Sequence, residues 1–134
     1  MPTTYAAFTA ALQSLVVAGV SIRHDHIPAS LTDVPCQWVQ MPQSDESIMT
    51  FDGGGGWPML RAQLIVAVEA VAQGTPLQNW DATITAIDAV ITALRGVAAG
   101  TLAQSKPTWA VRLVSVTVGG ADYWAVEATV TAHG

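Results

Sequence analysis

The last third of the chain, residues 108–134, reads TWAVRLVSVTVGGADYWAVEATVTAHG, and this stretch decides the fold. Two runs rich in β-branched and aromatic residues flank Gly119-Gly120, a pair that suits a two-residue hairpin turn. Such a turn pairs Val118 with Ala121, and the same register sets Arg112 opposite Glu127, so that opposite charges face each other. The stretch therefore predicts a long antiparallel hairpin. The residues expected on its core-facing side are Trp109, Val111, Leu113, Trp124, Val126, Ala128 and Val130.

The opposite face of this hairpin is also largely apolar. Around the charged pair it carries Val114, Val116, Val118, Tyr123 and Ala125. A monomer would leave this patch in water, whereas an oligomer would cover it, and contiguous exposed apolar patches are typical of interaction sites. The candidate subunit-interface residues are therefore Arg112, Val114, Val116, Tyr123 and Glu127.

A long strand is expected upstream of the hairpin. From Leu60 to Ala70, apolar residues alternate with Arg61, Gln63 and Glu69. This period of two predicts a strand with one buried face.

Residues 75–96, which follow that strand, carry the signals of an amphipathic helix. Thr75 suits the N-cap, Pro76 the first helical position, and Gln78 completes a capping box. Asp81 and Arg95 complement the helix dipole, and Gly96 is expected to end the helix. The apolar stripe expected against the sheet consists of Trp80, Ile84, Ile87, Ile91 and Leu94.

The N-terminal part of the chain predicts one helix followed by short extended pieces. The helix is expected to start at Thr3 or Thr4 and to stop at Gly19, and its apolar residues are Tyr5, Phe8, Leu12, Leu15 and Val16. Prolines 28, 35 and 42 punctuate the next segment, in which Cys36 to Met41 is the best strand candidate. The element order predicts an α+β fold: an antiparallel sheet of about four strands with two helices packed on one face.

Composition limits the possible functions. The 134 residues suit a single domain spanning residues 1–134; they are 51% hydrophobic and 11% charged, with a net charge of −5. So few charges indicate that other subunits cover part of the surface, and the acidic balance argues against general nucleic-acid binding. The N-terminus lacks the basic region of a signal peptide. The apolar run 64–72 contains Glu69 and is too short to span a bilayer.

The stretch FDGGGGWP, residues 51–58, contains four consecutive glycines. It lacks the Lys-Ser/Thr pair of a phosphate-binding loop and the spacing of a dinucleotide site, and a strand rather than a helix follows it. The segment from about residue 43 to residue 57 is therefore expected to form a flexible loop that becomes ordered on assembly. The residues assigned to this assembly loop are Phe51, Gly53, Gly54, Gly55, Gly56 and Trp57.

Few residues suggest catalysis or metal binding. His24 and His26 flank Asp25, but a zinc site needs about four ligands, and only Asp33 and Cys36 are obvious additions. Cys36 is the single cysteine and fits a buried structural role better than a nucleophile. Asp81 and Asp88 lie two helical turns apart, too far to share a proton. We therefore expect no catalytic residues, no metal and no cofactor.

The order of these elements is itself informative. An N-terminal helix leads to the proline-punctuated segment IPASLTDVPCQWVQMP (residues 27–42), a variable loop, a long apolar strand, a single amphipathic helix and a closing hairpin that ends YWAVEATVTAHG (residues 123–134). This layout resembles the tail terminator proteins of long-tailed bacteriophages and their relatives, the minor tail and head–tail joining proteins.

The resemblance implies a non-enzymatic, ring-forming virion subunit, assembled in the host cytoplasm and found at the tail–neck region. Six copies would cap the tail tube, end tail polymerisation and dock to the head-completion complex. DNA would pass through the ring without specific binding, helped by an acidic channel wall, and no membrane is implied. Two alternatives stay open: a head-side connector of the same layout, and a small ligand-binding or metal-dependent domain that uses His24, His26 and Cys36.

Overall fold

The hairpin at Gly119-Gly120 forms in the predicted register. The computed structural model describes residues 4–24, 27–30, 34–42, 49–51, 58–71, 80–97 and 107–133. In it, β5 (Thr108–Val118) runs antiparallel to β6 (Ala121–His133), with Val118 opposite Ala121 and Arg112 opposite Glu127. Gly119 and Gly120 have φ values of +61° and +81°. Positive φ at both central positions is the geometry that closes a two-residue hairpin without splaying its strands.

The remaining elements extend this hairpin into a mixed sheet. Along the chain they are α1 (Tyr5–Gln13), β1 (Ile22–Arg23), β2 (Cys36–Gln40), β3 (Met49–Phe51), β4 (Pro58–Ala70) and α2 (Trp80–Arg95). Five strands lie in the order β1-β2-β4-β6-β5, and β3 pairs with the first residues of β4. The predicted α+β class with two helices is confirmed.

Two details of the predicted sheet were wrong. The sheet has five strands in line rather than about four, and β1 runs parallel to β2, so the sheet is not purely antiparallel. A strand of two residues is too short for its alternation of apolar and polar side chains to be recognised in the sequence. The strand predicted from Cys36 is present as β2.

The central strand β4 is buried on both faces, which corrects the expectation of one buried face. It pairs with β2 and β3 on one side and with β6 on the other. Ile65 and Ala67 are as fully buried as Leu64, and even Gln63 is only 3% exposed. The helix-facing side of β4 consists of Leu60, Ala62, Leu64, Val66 and Val68.

Both helices pack on that same side of the sheet and form the main core with β4 and β6. Phe8 and Leu12 of α1 are fully buried there, as are Val90 and Leu94 of α2. The Tyr5 hydroxyl donates a hydrogen bond to the Arg61 carbonyl oxygen over 3.2 Å, which ties α1 to β4. Burial of the ring raises the pKa of Tyr5.

The N-terminal helix is shorter than expected. Thr4 is the N-cap, since its side chain accepts a hydrogen bond from the Ala7 amide, but the helix ends at Gln13 rather than near Gly19. The Ser14 amide closes the last turn on the Ala10 carbonyl, and Val16 beyond it is 70% exposed. Gly19 still requires its glycine, because its φ is +84° in the turn that follows.

The buried face of α2 is rotated from the predicted stripe. Thr83, Ala86, Val90 and Leu94 are buried. Trp80 and Ile84 are 58% and 37% exposed, whereas Ile87 is partly buried against the core. The side that meets the sheet therefore carries the small residues Thr83 and Ala86 together with Val90 and Leu94. The helix ends at Arg95, and Gly96 follows it, as predicted. The predicted N-terminal signals Thr75, Pro76 and Gln78 lie outside the described residues.

The core face of the hairpin is also smaller than predicted. Val126, Ala128 and Val130 on β6 are fully buried, Trp109 and Val111 pack against the core from β5, but Leu113 is 40% exposed. Because β5 is an edge strand, the helices cover it only in part.

Among the described residues, no helix combines the length and the apolar character needed to cross a membrane.

Replacing Leu94 with alanine should lower the free energy of unfolding by about 2–5 kcal/mol, because the side chain is fully buried. The matched change Ile84→Ala on the same helix should cost clearly less, about 1 kcal/mol, since that residue is 37% exposed. Urea unfolding of both variants measures the difference. A loss at Ile84 as large as that at Leu94 would contradict the assignment of the buried face.

Candidate subunit interface

The second face of the sheet, on the side away from the helices, holds the predicted interface residues. Its side chains form three rows across β2, β4, β6 and β5. The first row is Cys36, Ala67, Ala125 and Val114; the second is Trp38, Ile65, Glu127 and Arg112; the third is Gln40, Gln63, Thr129 and Ala110. The face therefore changes from apolar at one end to polar at the other.

At its apolar end the second face carries a small core of its own. Cys36, Ile65, Ala67 and Ala125 are fully buried, and Val118 is 3% exposed. The expectation that a monomer leaves this whole patch in water is thus wrong for Val118 and Ala125. Val114, Val116 and Tyr123 are half-buried against this cluster and form what we call the apolar rim.

Residues 29 and 30, between β1 and β2, lie close to the hairpin turn at this apolar end. A Cβ atom added at Gly119 would lie 2.7 Å from the Ala29 carbonyl oxygen and 3.1 Å from Ser30. Only a glycine lets the hairpin turn approach this backbone so closely. The segment 27–30 thus lies against the hairpin turn, at the end of β5 where the apolar cluster ends.

The Arg112–Glu127 pair occupies the middle of the second face. Arg112 Nε lies 2.8 Å from Glu127 Oε1, and the Arg112 side chain is 68% exposed while that of Glu127 is 9% exposed. On its other side, Glu127 lies opposite the fully buried Ile65 of β4. A carboxylate in such a place requires a charged partner, because burying it alone is costly. The predicted cross-strand pairing of these residues is confirmed.

Polar side chains at the other end were not predicted as a group. Trp38 Nε1 donates to Gln40 Oε1, and Gln40 Nε2 donates to Gln63 Oε1, each over 3.2 Å. In the sequence, Gln63 is one polar position in an alternating strand and was expected to face solvent. Only the pairing of Gln40 with Gln63 in the sheet shows that the Gln63 side-chain oxygen accepts a hydrogen bond from Gln40.

The predicted assembly loop is described only in part. Met49 pairs with Leu60 and Phe51 with Pro58, so part of the predicted flexible segment 43–57 is a strand. Phe51 therefore has a backbone position beside β4. Gly53, Gly54, Gly55, Gly56 and Trp57 lie outside the described residues.

The alternative hypothesis of a metal site at His24, His26 and Cys36 gains no support from the described residues. The His24 amide donates to the Gln37 carbonyl over 2.7 Å, which fixes its backbone beside β2, while Cys36 is fully buried. Asp25, His26 and Asp33 lie outside the described residues. Within the described ranges, no three His, Cys, Asp or Glu side chains form a group that could hold a metal ion.

An open cleft of about 420 Å³ lies on the other side of the sheet, beside α2. Its lining is mainly aliphatic, from Val17, Val20, Val66, Val68 and Ala86, with Asp81 and Thr85 as its polar residues. Asp81 is exposed and Thr85 Oγ1 donates to the Asp81 carbonyl oxygen over 2.8 Å. This hydroxyl is engaged with the helix backbone, and the described lining residues of the cleft do not bring reactive groups together.

Comparison with known proteins gives no family assignment: no protein-family model and no curated protein matches the chain.

The glycines of the hairpin turn provide a matched test of how the second face is covered. Gly119→Ala and Gly120→Ala both place a Cβ in the left-handed region, which costs about 1–2 kcal/mol. Only Gly119→Ala adds a clash with the Ala29 carbonyl, since nothing lies within 4 Å of a Cβ at Gly120. Denaturant unfolding should therefore show a larger loss for Gly119→Ala. Equal losses would contradict the packing of segment 27–30 against the turn.

Proposed function

We propose that this protein is a structural, non-enzymatic subunit that assembles into a six-membered ring, caps a bacteriophage tail tube and joins it to the head-completion complex. The observation that carries the proposal is the layout: a helix, a proline-punctuated segment, a long central strand, a single amphipathic helix and a long terminal hairpin. This is the order of elements by which the sequence resembles tail terminator proteins.

The apolar rim supports assembly from identical subunits. Val114, Val116 and Tyr123 are half-buried, adjoin a fully buried cluster and lie next to the exposed Arg112. Protein interfaces typically have an apolar centre surrounded by polar or charged residues. The apolar rim with the neighbouring Arg112 matches this composition. In a cyclic ring, this surface would meet a different surface of the next subunit.

The charge of the chain is compatible with a ring around DNA. A net charge of −5 argues against a strongly basic surface that would retain phosphates, and like charge between the wall and the DNA would favour passage. The ring would form in the host cytoplasm and remain at the tail–neck junction. Its partners would be further copies of itself, the tail tube protein and the head-completion protein.

The direct test is assembly of the purified protein. Light scattering coupled to size-exclusion chromatography should show particles near six times the 14.0 kDa chain mass in protein that has been bound to, and then released from, tail tubes lacking their terminal cap. Electron microscopy should show rings at tube ends. Rings that bind only isolated head connectors would support the head-side joining role instead, and a protein that forms no ring on either partner would contradict the proposal.

Replacing Val116 with glutamate should abolish ring formation, because the change puts a charge into the apolar rim. Ala110→Glu is the matched control: it adds the same charge to the same face of β5, but at the polar end, and should leave assembly intact. Circular dichroism should show that both variants fold. Assembly of Val116→Glu as complete as that of Ala110→Glu would remove the apolar rim from the interface.

A further inference from the structure

The strand β5 is a long edge strand. It has 11 residues, and within the described part of the chain its only strand neighbour is β6. The side of β5 that faces away from β6 therefore presents backbone N–H and C=O groups with no strand partner among the described residues. A row of such groups is recognised by another extended chain, because a strand supplies donors and acceptors at the same spacing.

The hairpin register determines which residues carry these outward groups. In the two-residue turn, the Val118 carbonyl and the Ala121 amide form the closing hydrogen-bonded pair. Hydrogen-bonded and non-bonded pairs alternate along antiparallel strands, so the even-numbered residues of β5 bond to β6. The outward-pointing groups then belong to Trp109, Val111, Leu113, Ser115 and Thr117.

Within the described residues, this edge shows none of the shortening, bulging, proline or lysine that protect the edges of monomeric sheets. Natural edge strands are shortened, bulged, or marked by proline or lysine. Residues 108–118 contain neither residue type, and the pairing of β5 with β6 runs without a register shift. The one charged side chain, Arg112, reaches towards β6 to meet Glu127. Leu113, at the midpoint of the strand, is 40% exposed.

We propose that β5 pairs antiparallel with β5 of a second copy of this chain, about a twofold axis at Leu113. This register overlaps the two strands over their whole length and brings all five outward residues of each copy opposite outward residues of the other. Leu113 then faces Leu113 of the second copy, Val111 faces Ser115, and Trp109 faces Thr117. The two sheets become one, with the helices of both copies on the same face.

The occupant is a second copy because the strand is self-complementary in this register. No like charges face each other: Arg112 falls opposite Val114, and its own partner Glu127 is retained. The two exposed leucines bury each other at the axis. A twofold contact closes after two copies and cannot by itself build a six-membered cyclic ring. The inference thus concerns the free protein and does not rest on the proposed function.

Cysteine variants test the register. Leu113→Cys places two thiols on a hydrogen-bonded pair, where the Cα atoms are about 5.5 Å apart, within the range of a disulfide. In the same register two copies of Ser115→Cys lie about 14 Å apart along the strands and cannot form one. The native Cys36 is fully buried and should not contribute. Under mild copper-phenanthroline oxidation, Leu113→Cys should give a covalent dimer and Ser115→Cys should not.

Backbone variants test the hydrogen bonding. Ser115→Pro removes one outward N–H that β6 does not use, whereas Ser115→Ala keeps it. Sedimentation equilibrium of the unmodified protein should show a dimer, and Ser115→Pro should raise its dissociation constant at least tenfold relative to Ser115→Ala. Retained circular dichroism confirms the fold of each variant.

Three results would overturn the pairing: a parent protein that is monomeric up to high concentration, no preference for Leu113→Cys over Ser115→Cys in cross-linking, or equal dissociation constants for Ser115→Pro and Ser115→Ala. A parent that forms rings but fails the cross-linking test would overturn this inference and leave the proposed function intact. Dimers that pass both tests but never form rings would support this inference and contradict the proposed function.

Discussion

Burial of β4 on both faces is the constraint on which the rest of the structure depends. A strand in the middle of a sheet satisfies its backbone on both sides, and here its side chains are also enclosed on both sides, with Leu64 and Ile65 both fully buried. The helix side receives α1 and α2 and becomes the main core. On the other side, apolar residues of β4 pack with those of β2, β6 and β5. They form the second, smaller apolar cluster.

Burial of β4 on both faces offers another explanation for the low content of charged residues. A charged content of 11% first suggested that other subunits cover the surface. Part of the explanation lies within the chain, because a sheet that packs on both faces needs apolar residues on both. What remains for an interface is the apolar rim and the edge of β5, rather than an entire open sheet face. The case for assembly therefore depends on a few half-buried side chains and on backbone groups of β5 that have no strand partner among the described residues.

The sequence alone predicted the long elements well because their signals are local. The register of the hairpin follows from Gly119-Gly120, and the cap of α1 follows from Thr4, since both depend on residues close together in the chain. The buried face of α2 could not be predicted in the same way. Trp80 and Ile84 are as apolar as the residues that are buried, so the sequence pattern of the helix does not reveal that the side with Thr83 and Ala86 meets the sheet. Burial of Gln63 also depends on a partner, Gln40, that is distant in sequence.

The strand β5 carries both features that could form contacts between subunits. One is the apolar side chains on the second face, and the other is the backbone groups along the edge. Even-numbered residues such as Val114 and Val116 present side chains on the second face, whereas odd-numbered residues such as Leu113 and Ser115 present backbone groups at the edge. Pairing at the edge would leave the even-numbered side chains on the second face and set Val114 of one copy beside Arg112 of the other. The two apolar rims would then flank one twofold axis. A subunit entering a cyclic ring needs a head-to-tail contact instead, so a change from pairs to rings would require the edge to be released. The backbone hydrogen bonds of β5 would therefore oppose ring assembly until a stronger contact, such as a tail tube, favours the ring.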